Sequence, residues 1–230
     1  MKFKKQLIET LKLNKKILKS GLQINSFGNG SIRNDDKCFI KPSGINLGLA
    51  KLSDISVVNI KNGEILSGKK PSVDLDIHLS LYKNFKDIKS IVHTHSLYAT
   101  SWAQSRRPIP CYGTTHADYF PKEIPITDPI NKKNLKEKYE LEIGNTILIK
   151  LKKIKMKAVD IPGILILNHG VVAWGNTSKT AIENAIAIEF IAQLAFNSEL
   201  INKSVKKLSS DLHKKHYNRK HGKNSYYGQK

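Results

Sequence analysis

The segment from residue 164 to residue 197 constrains the fold more than any other part of the chain. It predicts two short apolar strands, 164–167 and 171–174, around Asn168-His169-Gly170, and then a long, largely apolar helix at 178–197. A helix that is apolar around most of its circumference needs burial, so we expect it to lie against a sheet. Further strands are predicted at 38–40, 55–60, 64–66 and 88–94, a turn at 28–31, and helices at 3–20, 73–85 and 96–104. These elements predict one α/β domain over residues 1–230.

Composition restricts the class of protein. The chain has 230 residues, 40% of them hydrophobic, which is enough for a folded domain with a substantial core. Its two cysteines, Cys38 and Cys111, are too few for a disulfide framework and indicate a reducing compartment, so a cytoplasmic location is expected. No apolar run approaches the roughly 20 residues of a membrane span, and residues 1–21 lack the apolar centre of a secretory signal. We therefore expect no membrane partner.

The formal net charge of +20 raises the question of a nucleic-acid partner. The positive charge comes from 35 lysines and only 4 arginines, whereas proteins that read nucleic acids favour arginine for base contacts and stacking. Lysine has AT-rich codons, so a drift in coding composition accounts for this imbalance without a polyanionic partner. A nucleic-acid partner is therefore not expected.

Three histidines and one aspartate form a candidate metal site. His93 and His95 lie at the end of a predicted strand, where alternate residues point to the same side, so both imidazoles can face one ion. His169 lies between two predicted strands, and Asp74 lies near the start of a predicted helix in which Ser72 is a candidate N-cap. Such a ligand set suits zinc or a similar divalent ion. The alternative is that the two strand histidines are ordinary hydrogen-bonded polar residues.

Nine sequence motifs together indicate a family. They are GNGS (28–31), IKPSG (40–44), KKPSVD (69–74), IVHTHSLYATSWAQ (91–104), GTTHADYF (113–120), IPIT (124–127), NHGVVAWG (168–175), ENAI (183–186) and KHYNRKHGKNSYYGQ (215–229). Together they resemble the class II aldolase/epimerase superfamily across nearly the whole chain. The HTHS and NHG motifs mark the superfamily, and GTTHADYF with the C-terminal motif resembles its epimerase branch.

The resemblance implies a fold and an assembly. It implies a single three-layer α/β domain in which helices flank a mainly antiparallel central sheet, with a functional C-terminal tail at about 211–230. It also implies a cyclic homotetramer with active sites between subunits. One divalent metal ion per subunit is implied; we expect zinc, with manganese or a similar ion as the alternative.

The resemblance also implies roles for individual residues. The implied metal ligands are Asp74, His93, His95 and His169. The implied acid/base residues are Asp118 and Tyr227, which would reach the metal site from a neighbouring subunit. The implied substrate-binding residues are Gly28, Asn29, Ser43, Gly44, Ser72, Val73, Thr114, His216 and Arg219, with a phosphate held around the two serines and Gly44.

The implied reaction interconverts L-ribulose 5-phosphate and D-xylulose 5-phosphate at C4, by cleavage and re-formation of the C3–C4 bond. Three positions depart from the family pattern: Val73 replaces a second serine, and Leu97 and Asp128 stand where basic residues are common. Two alternatives remain. One is a class II sugar-phosphate aldolase of the L-fuculose 1-phosphate type, although that branch usually has Glu in place of Asp74. The other is a non-catalytic, adducin-like interaction module, against which the intact histidines argue.

Overall fold

A seven-stranded antiparallel sheet forms the centre of the computed structural model, which describes residues 3–47, 49–131, 138–223 and 225–226. The strand order is β4-β3-β2-β1-β5-β7-β6. All the pairings between neighbouring strands are antiparallel. The strands are β1 (Asn29–Asn34), β2 (Lys37–Ile40), β3 (Ser56–Asn59), β4 (Ile65–Ser67), β5 (Ser90–Thr94), β6 (Gly163–Ile166) and β7 (Gly170–Gly175).

Seven α-helices accompany the sheet in the described residues. They are α1 (Lys4–Lys19), α2 (Leu75–Asn84), α3 (Leu97–Gln104), α4 (Thr114–Ala117), α5 (Tyr139–Lys153), α6 (Ser178–Ile201) and α7 (Ser210–His221). The predicted helices at 3–20, 73–85, 96–104 and 178–197 correspond to α1, α2, α3 and α6. The sequence interpretation missed α4, α5 and α7.

Two local predictions are wrong. Residues 28–31 were predicted as a turn, but β1 begins at Asn29, and only Gly28 keeps a turn-like positive φ of 90°. A Cβ at Gly28 would lie 2.8 Å from the carbonyl oxygen of His93, so the close approach of β5 requires glycine there. Ser72 is not the N-cap of α2, because that position is occupied by Asp74.

One face of the sheet is covered by α1 and α6. Gly30 of β1 lies beneath α1, since a Cβ there would be 2.8 Å from Leu13. Gly163 of β6 lies beneath α6, where a Cβ would be 2.6 Å from Ile188. The cross-strand pairings from Gly30 through β5 and β7 to Gly163 place these two glycines on the same face. The largely apolar helix α6 is therefore packed against the sheet as predicted.

The opposite face carries α2. Ser31 follows Gly30, so its side chain points to the other side of β1. There its hydroxyl lies 2.7 Å from His78 Nδ1 and 2.8 Å from the Tyr82 hydroxyl, both on α2. The described chain is therefore a three-layer α/β structure with an antiparallel sheet, as predicted. No helix in its described part is both long and apolar enough to cross a membrane.

Candidate metal centre and active site

Three imidazoles meet where β5 and β7 come together. His93 lies in β5, His95 just follows it, and His169 precedes β7. The Nε2 atom of His93 lies 3.1 Å from the Nε2 atoms of both His95 and His169. Every pair of candidate ligand atoms in this triad lies within 4.8 Å. The alternation along β5 thus brings the two strand histidines together, and the β6–β7 turn supplies the third.

The triad has the spacing that a metal ion needs, and the pKa values of two of its rings, His95 and His169, also suit metal binding. A tetrahedral ion with metal–nitrogen bonds of about 2.0 Å holds its ligand nitrogens about 3.3 Å apart, close to the spacing of these atoms. Burial and then the neighbouring histidines lower the pKa of His169 to about 3. The same causes lower the pKa of His95. Because a metal ligand must be a neutral imidazole, this environment favours binding at neutral pH.

Two of the three rings are oriented through their other nitrogen. The Nδ1 atom of His93 lies 3.0 Å from the carbonyl oxygen of Val171. A carbonyl can only accept, so this nitrogen carries a proton, which leaves Nε2 as the nitrogen that can present a lone pair to an ion. The Nδ1 atom of His169 lies 2.9 Å from the hydroxyl of Tyr139, the first residue of α5. The sequence interpretation missed Tyr139 because it assigned no element to that segment.

Asp74 borders the triad. Its Oδ2 atom lies 4.0 Å from His93 Nε2 and accepts a 2.6 Å hydrogen bond from Asn29 Nδ2. The Ser72 hydroxyl, 3.4 Å away, also donates to this oxygen. Burial raises the pKa of Asp74, but the nearby imidazoles and the Asn29 hydrogen bond together lower it below the usual value. Asp74 is therefore an ionised carboxylate within reach of an ion held by the histidines.

A cavity of about 410 Å³ opens onto this cluster. Of the residues predicted for the metal and substrate sites, its walls contain Gly28, Asn29, Ser43, Gly44, Ser72, Val73, Asp74, His95 and His169. His93 is fully buried beneath the other two ligands. The fold thus brings these predicted residues together in one cavity, although they are up to 141 positions apart in the chain, from Gly28 to His169.

The backbone N–H groups of the two serines expected at the phosphate site are already hydrogen-bonded. The Ser43 N–H donates to the carbonyl of Lys70, and the Ser72 N–H donates to that of Lys41. Within the described chain, the N–H groups of Gly44 and Val73 have no such partner, so they remain available. Anion donors at this wall are therefore these two amides and the Ser43 hydroxyl, since the Ser72 hydroxyl already donates to Asp74.

Lys41 is a second cavity residue that the sequence interpretation missed, although it lies in the IKPSG motif. It is only 2% exposed, lines the cavity and donates from Nζ to the carbonyl oxygen of Ser26. Burial lowers the pKa of Lys41, and Asp74 partly offsets this effect. A buried amine and amide donors in the wall of one cavity make that cavity suitable for an anion.

Four predicted residues form a separate cluster. Asp118 follows α4, and its carboxylate accepts from Arg219 Nε at 3.0 Å and Nη2 at 2.7 Å and lies 3.1 Å from His216 Nδ1. Thr114 begins α4, and the other two residues lie on α7. Burial raises the pKa of Asp118, but Arg219 and His216 together lower it. None of the four belongs to the described wall of the metal-site cavity, and Tyr227 lies outside the described residues.

Residues 8–196 match the family model described as "Class II Aldolase and Adducin N-terminal domain". The chain belongs to this family. The class II aldolase family implies a divalent metal ion, and the His93, His95 and His169 triad could hold one.

Named relatives within the class II aldolase family match almost the entire chain. A Mycoplasma pneumoniae protein named "Probable L-ribulose-5-phosphate 4-epimerase UlaF" is 41% identical and covers 98% of this chain and 94% of its own. A Salmonella paratyphi C protein named "L-ribulose-5-phosphate 4-epimerase UlaF" is 36% identical over 100% of this chain and 99% of its own.

Solved structures in the class II aldolase family share the fold. One described as "L-fuculose 1-phosphate aldolase" has a TM-score of 0.79 at 23% identity, covering 95% of this chain and 97% of the other. A Klebsiella pneumoniae structure, described as YgbL, "a putative aldolase/epimerase/decarboxylase", has a TM-score of 0.72 at 25% identity and covers 94% and 99% of the two chains.

Proposed function

We propose that this class II aldolase-family chain is an L-ribulose-5-phosphate 4-epimerase that holds one zinc ion per subunit. The observation that carries the proposal is the convergence of three imidazoles and Asp74 on a cavity with anion donors at its wall. Whole-chain similarity to relatives named for this activity supports the choice of substrate.

The chemistry of the substrate explains why such a site is needed. The C4 proton of a pentulose 5-phosphate is not adjacent to the C2 carbonyl, so simple deprotonation at C4 is a poor route. Cleavage of the C3–C4 bond, rotation of the released aldehyde and re-formation of the bond invert C4. A bound divalent ion supplies Lewis acidity that stabilises negative charge on the oxygens of C2 and C3.

The residues of this chain position the substrate around that ion. His93, His95 and His169, with Asp74, would hold the metal. The free N–H groups of Gly44 and Val73 would donate to the phosphate, with Ser43 beside them and the Lys41 amine providing positive charge. Asn29, already bonded to Asp74, keeps that carboxylate turned toward the triad.

The acid/base residues of the proposal are Asp118 and Tyr227. Arg219 and His216 hold the Asp118 carboxylate in its ionised form, which suits it to accept a proton from the C4 hydroxyl. Since Asp118 does not line the metal-site cavity of its own described chain, we assign it to the site of a neighbouring copy. The proposal therefore includes a homotetramer of one-domain chains (1–230), with the tail at 211–230 contributing to the neighbour's site.

The direct test is incubation of zinc-loaded protein with L-ribulose 5-phosphate, followed by NMR. D-xylulose 5-phosphate should accumulate to equilibrium without free glycolaldehyde phosphate. The His95→Ala variant is the matched control and should lose both zinc and turnover while staying folded. Release of free glycolaldehyde phosphate as the main product would instead identify a sugar-phosphate aldolase, and a zinc-loaded protein that converts no sugar phosphate would contradict the proposal.

A further inference from the structure

The three imidazoles of the triad differ in the contacts that orient their rings. His93 is held by the backbone carbonyl of Val171, which no side-chain substitution removes. His95 stacks against the ring of Phe27, with ring centres 6.0 Å apart. His169 is held by a side chain, the Tyr139 hydroxyl, at 2.9 Å. The orientation of one ligand therefore depends on a single phenol.

The direction of that hydrogen bond follows from the protonation of the rings. A phenol can donate or accept, so the 2.9 Å contact fits either tautomer of His169. If Nε2 of His169 is to present a lone pair to an ion, its Nδ1 must carry the proton. Tyr139 must then accept from Nδ1–H. The same relation, a metal-binding imidazole that donates its other N–H to a fixed acceptor, raises ligand basicity and fixes the ring.

The metal-free state makes the opposite tautomer available. The His93 Nε2 lone pair can accept one N–H, and both neighbouring Nε2 atoms lie 3.1 Å from it. A proton on Nε2 of His169 would donate a hydrogen bond to His93 Nε2, but it would block metal binding through that nitrogen. Tyr139 would then donate to Nδ1 of His169. The Tyr139 hydroxyl can therefore hydrogen-bond to either tautomer of His169. In the tautomer that binds a metal ion, the phenol oxygen accepts the Nδ1–H.

Among the described residues, the surroundings of Tyr139 are compatible with this role. Its side chain is half-buried at the first residue of α5 and lines the cavity. Within the described residues its hydroxyl has no second hydrogen-bond partner, so no competing contact turns it away from His169. Removing the hydroxyl would leave the His169 N–H without an acceptor in a half-buried position, which costs free energy in the metal-bound state.

We propose that Tyr139 is a positioning residue of the metal centre: its hydroxyl accepts from His169 Nδ1–H and so holds His169 in the tautomer and orientation that bind the ion. The proposal concerns the protein and its ion, and it holds whichever sugar phosphate is the substrate.

The test is the zinc affinity of Tyr139→Phe, measured without substrate by competition with a chromogenic chelator. Loss of an outer hydrogen bond to a ligand histidine weakens metal binding about 10–100-fold, and we expect a change of that size. Tyr98→Phe is the matched control, since that hydroxyl contacts only Gln193 at 3.4 Å among the described residues, and it should keep the wild-type zinc affinity. Both metal-free variants should remain folded, as judged by circular dichroism, so that a change in zinc affinity does not arise from unfolding.

A second measurement separates positioning from a general structural effect. In zinc-loaded wild-type protein, ¹⁵N NMR should show a slowly exchanging Nδ1–H on His169, and in Tyr139→Phe this proton should exchange much faster. An unchanged zinc affinity in Tyr139→Phe, or an equal loss in Tyr98→Phe, would overturn the proposal. Because neither measurement uses a sugar, a failed epimerase assay would not affect the outcome.

Discussion

Val73 occupies a position where a hydroxyl would face the proposed phosphate site. Its side chain is 63% exposed at the wall of the cavity, beside Ser72, and its own N–H has no partner in the described chain. Val73→Ser should add one hydrogen bond to the phosphate, worth about 1 kcal/mol, and so lower KM for L-ribulose 5-phosphate about fivefold. Steady-state kinetics at full zinc loading measure this change. A KM that stays the same would mean that the backbone amide alone serves the phosphate.

His78 is a buried titratable group behind the metal centre. Burial, with a smaller contribution from His93, lowers its pKa to about 3, although Asp74 opposes the shift. An unfolded histidine has a pKa near 6.5, so the unfolded chain binds a proton between pH 6.5 and 3 that the folded chain does not. Stability from this residue is therefore fully present above pH 6.5 and is lost as the pH falls.

We expect His78→Gln to reduce the pH dependence of unfolding. Between pH 7 and pH 5.5, the metal-free wild type should lose about 1 kcal/mol more than the variant, which lacks this proton uptake. Urea unfolding at the two pH values gives the difference. His116, whose pKa burial lowers to about 4, offers a parallel case, and His116→Gln should show a similar reduction. An equal loss of stability in wild type and both variants would contradict this account.

At the scale of elements, a side chain of α6 fixes the start of α3. The two carboxylate oxygens of Glu189 accept from the N–H groups of Tyr98 and Ala99, at 2.8 and 2.9 Å. The N-cap residue Ser96 makes no side-chain cap of its own. Since the first N–H groups of a helix lack partners within the helix, Glu189 replaces the local cap and ties α3, which follows His95, to the packed helix.

We expect Glu189→Ala to lower the free energy of unfolding by roughly 1–3 kcal/mol, the cost of leaving such donors unpaired. Glu183→Ala on the same helix is the control, because the Glu183 carboxylate is about half exposed and its ion pair with Lys179 spans 3.9 Å. Such a pair contributes at most about 0.5 kcal/mol. Urea unfolding of both variants at pH 7 is the measurement, and equal losses would show that Glu189 is not a cap.

At the scale of the whole molecule, the predicted site is divided between two places in one chain. The triad with Asp74 lines one cavity, whereas the Asp118 carboxylate is held by Arg219 of α7 elsewhere. If neighbouring copies complete each site, two inactive variants should restore each other. A 1:1 mixture of His95→Ala and Asp118→Asn chains, reassembled from denaturant, should regain about one quarter of wild-type activity, since one quarter of the sites receive both intact parts.

Mixing His95→Ala with His169→Ala is the matched control, because both changes affect the same cavity and no combination repairs it. Activity per site at equal zinc loading, with the mass of the assembly from light scattering, measures the effect. Absence of recovery in the first mixture, despite formation of mixed oligomers, would show that Asp118 acts within its own chain or not at all.

The sequence by itself determined the features that depend on near neighbours in the chain. The two-residue spacing of His93 and His95 places both rings on one side of a strand, because alternation is a property of the extended backbone. The apolar composition of α6 predicts that one face of the helix packs against other elements, and that face is buried. The three-layer arrangement and the convergence of His169 with the strand pair were inferred from motifs spread over the whole chain.

Only the tertiary structure decided the features that depend on distant contacts. Tyr139 contacts His169 across 30 positions, and Glu189 caps α3 across about 90. The two Pro-Ser segments pair through a bridge between Pro42 and Pro71. This pairing determines that the Ser43 N–H donates to the carbonyl of Lys70 and that Lys41 is buried. Such hydrogen bonds leave no periodic pattern in the sequence, because packing brings the donor and its acceptor together. Strand alternation and helix periodicity, in contrast, are patterns of consecutive residues.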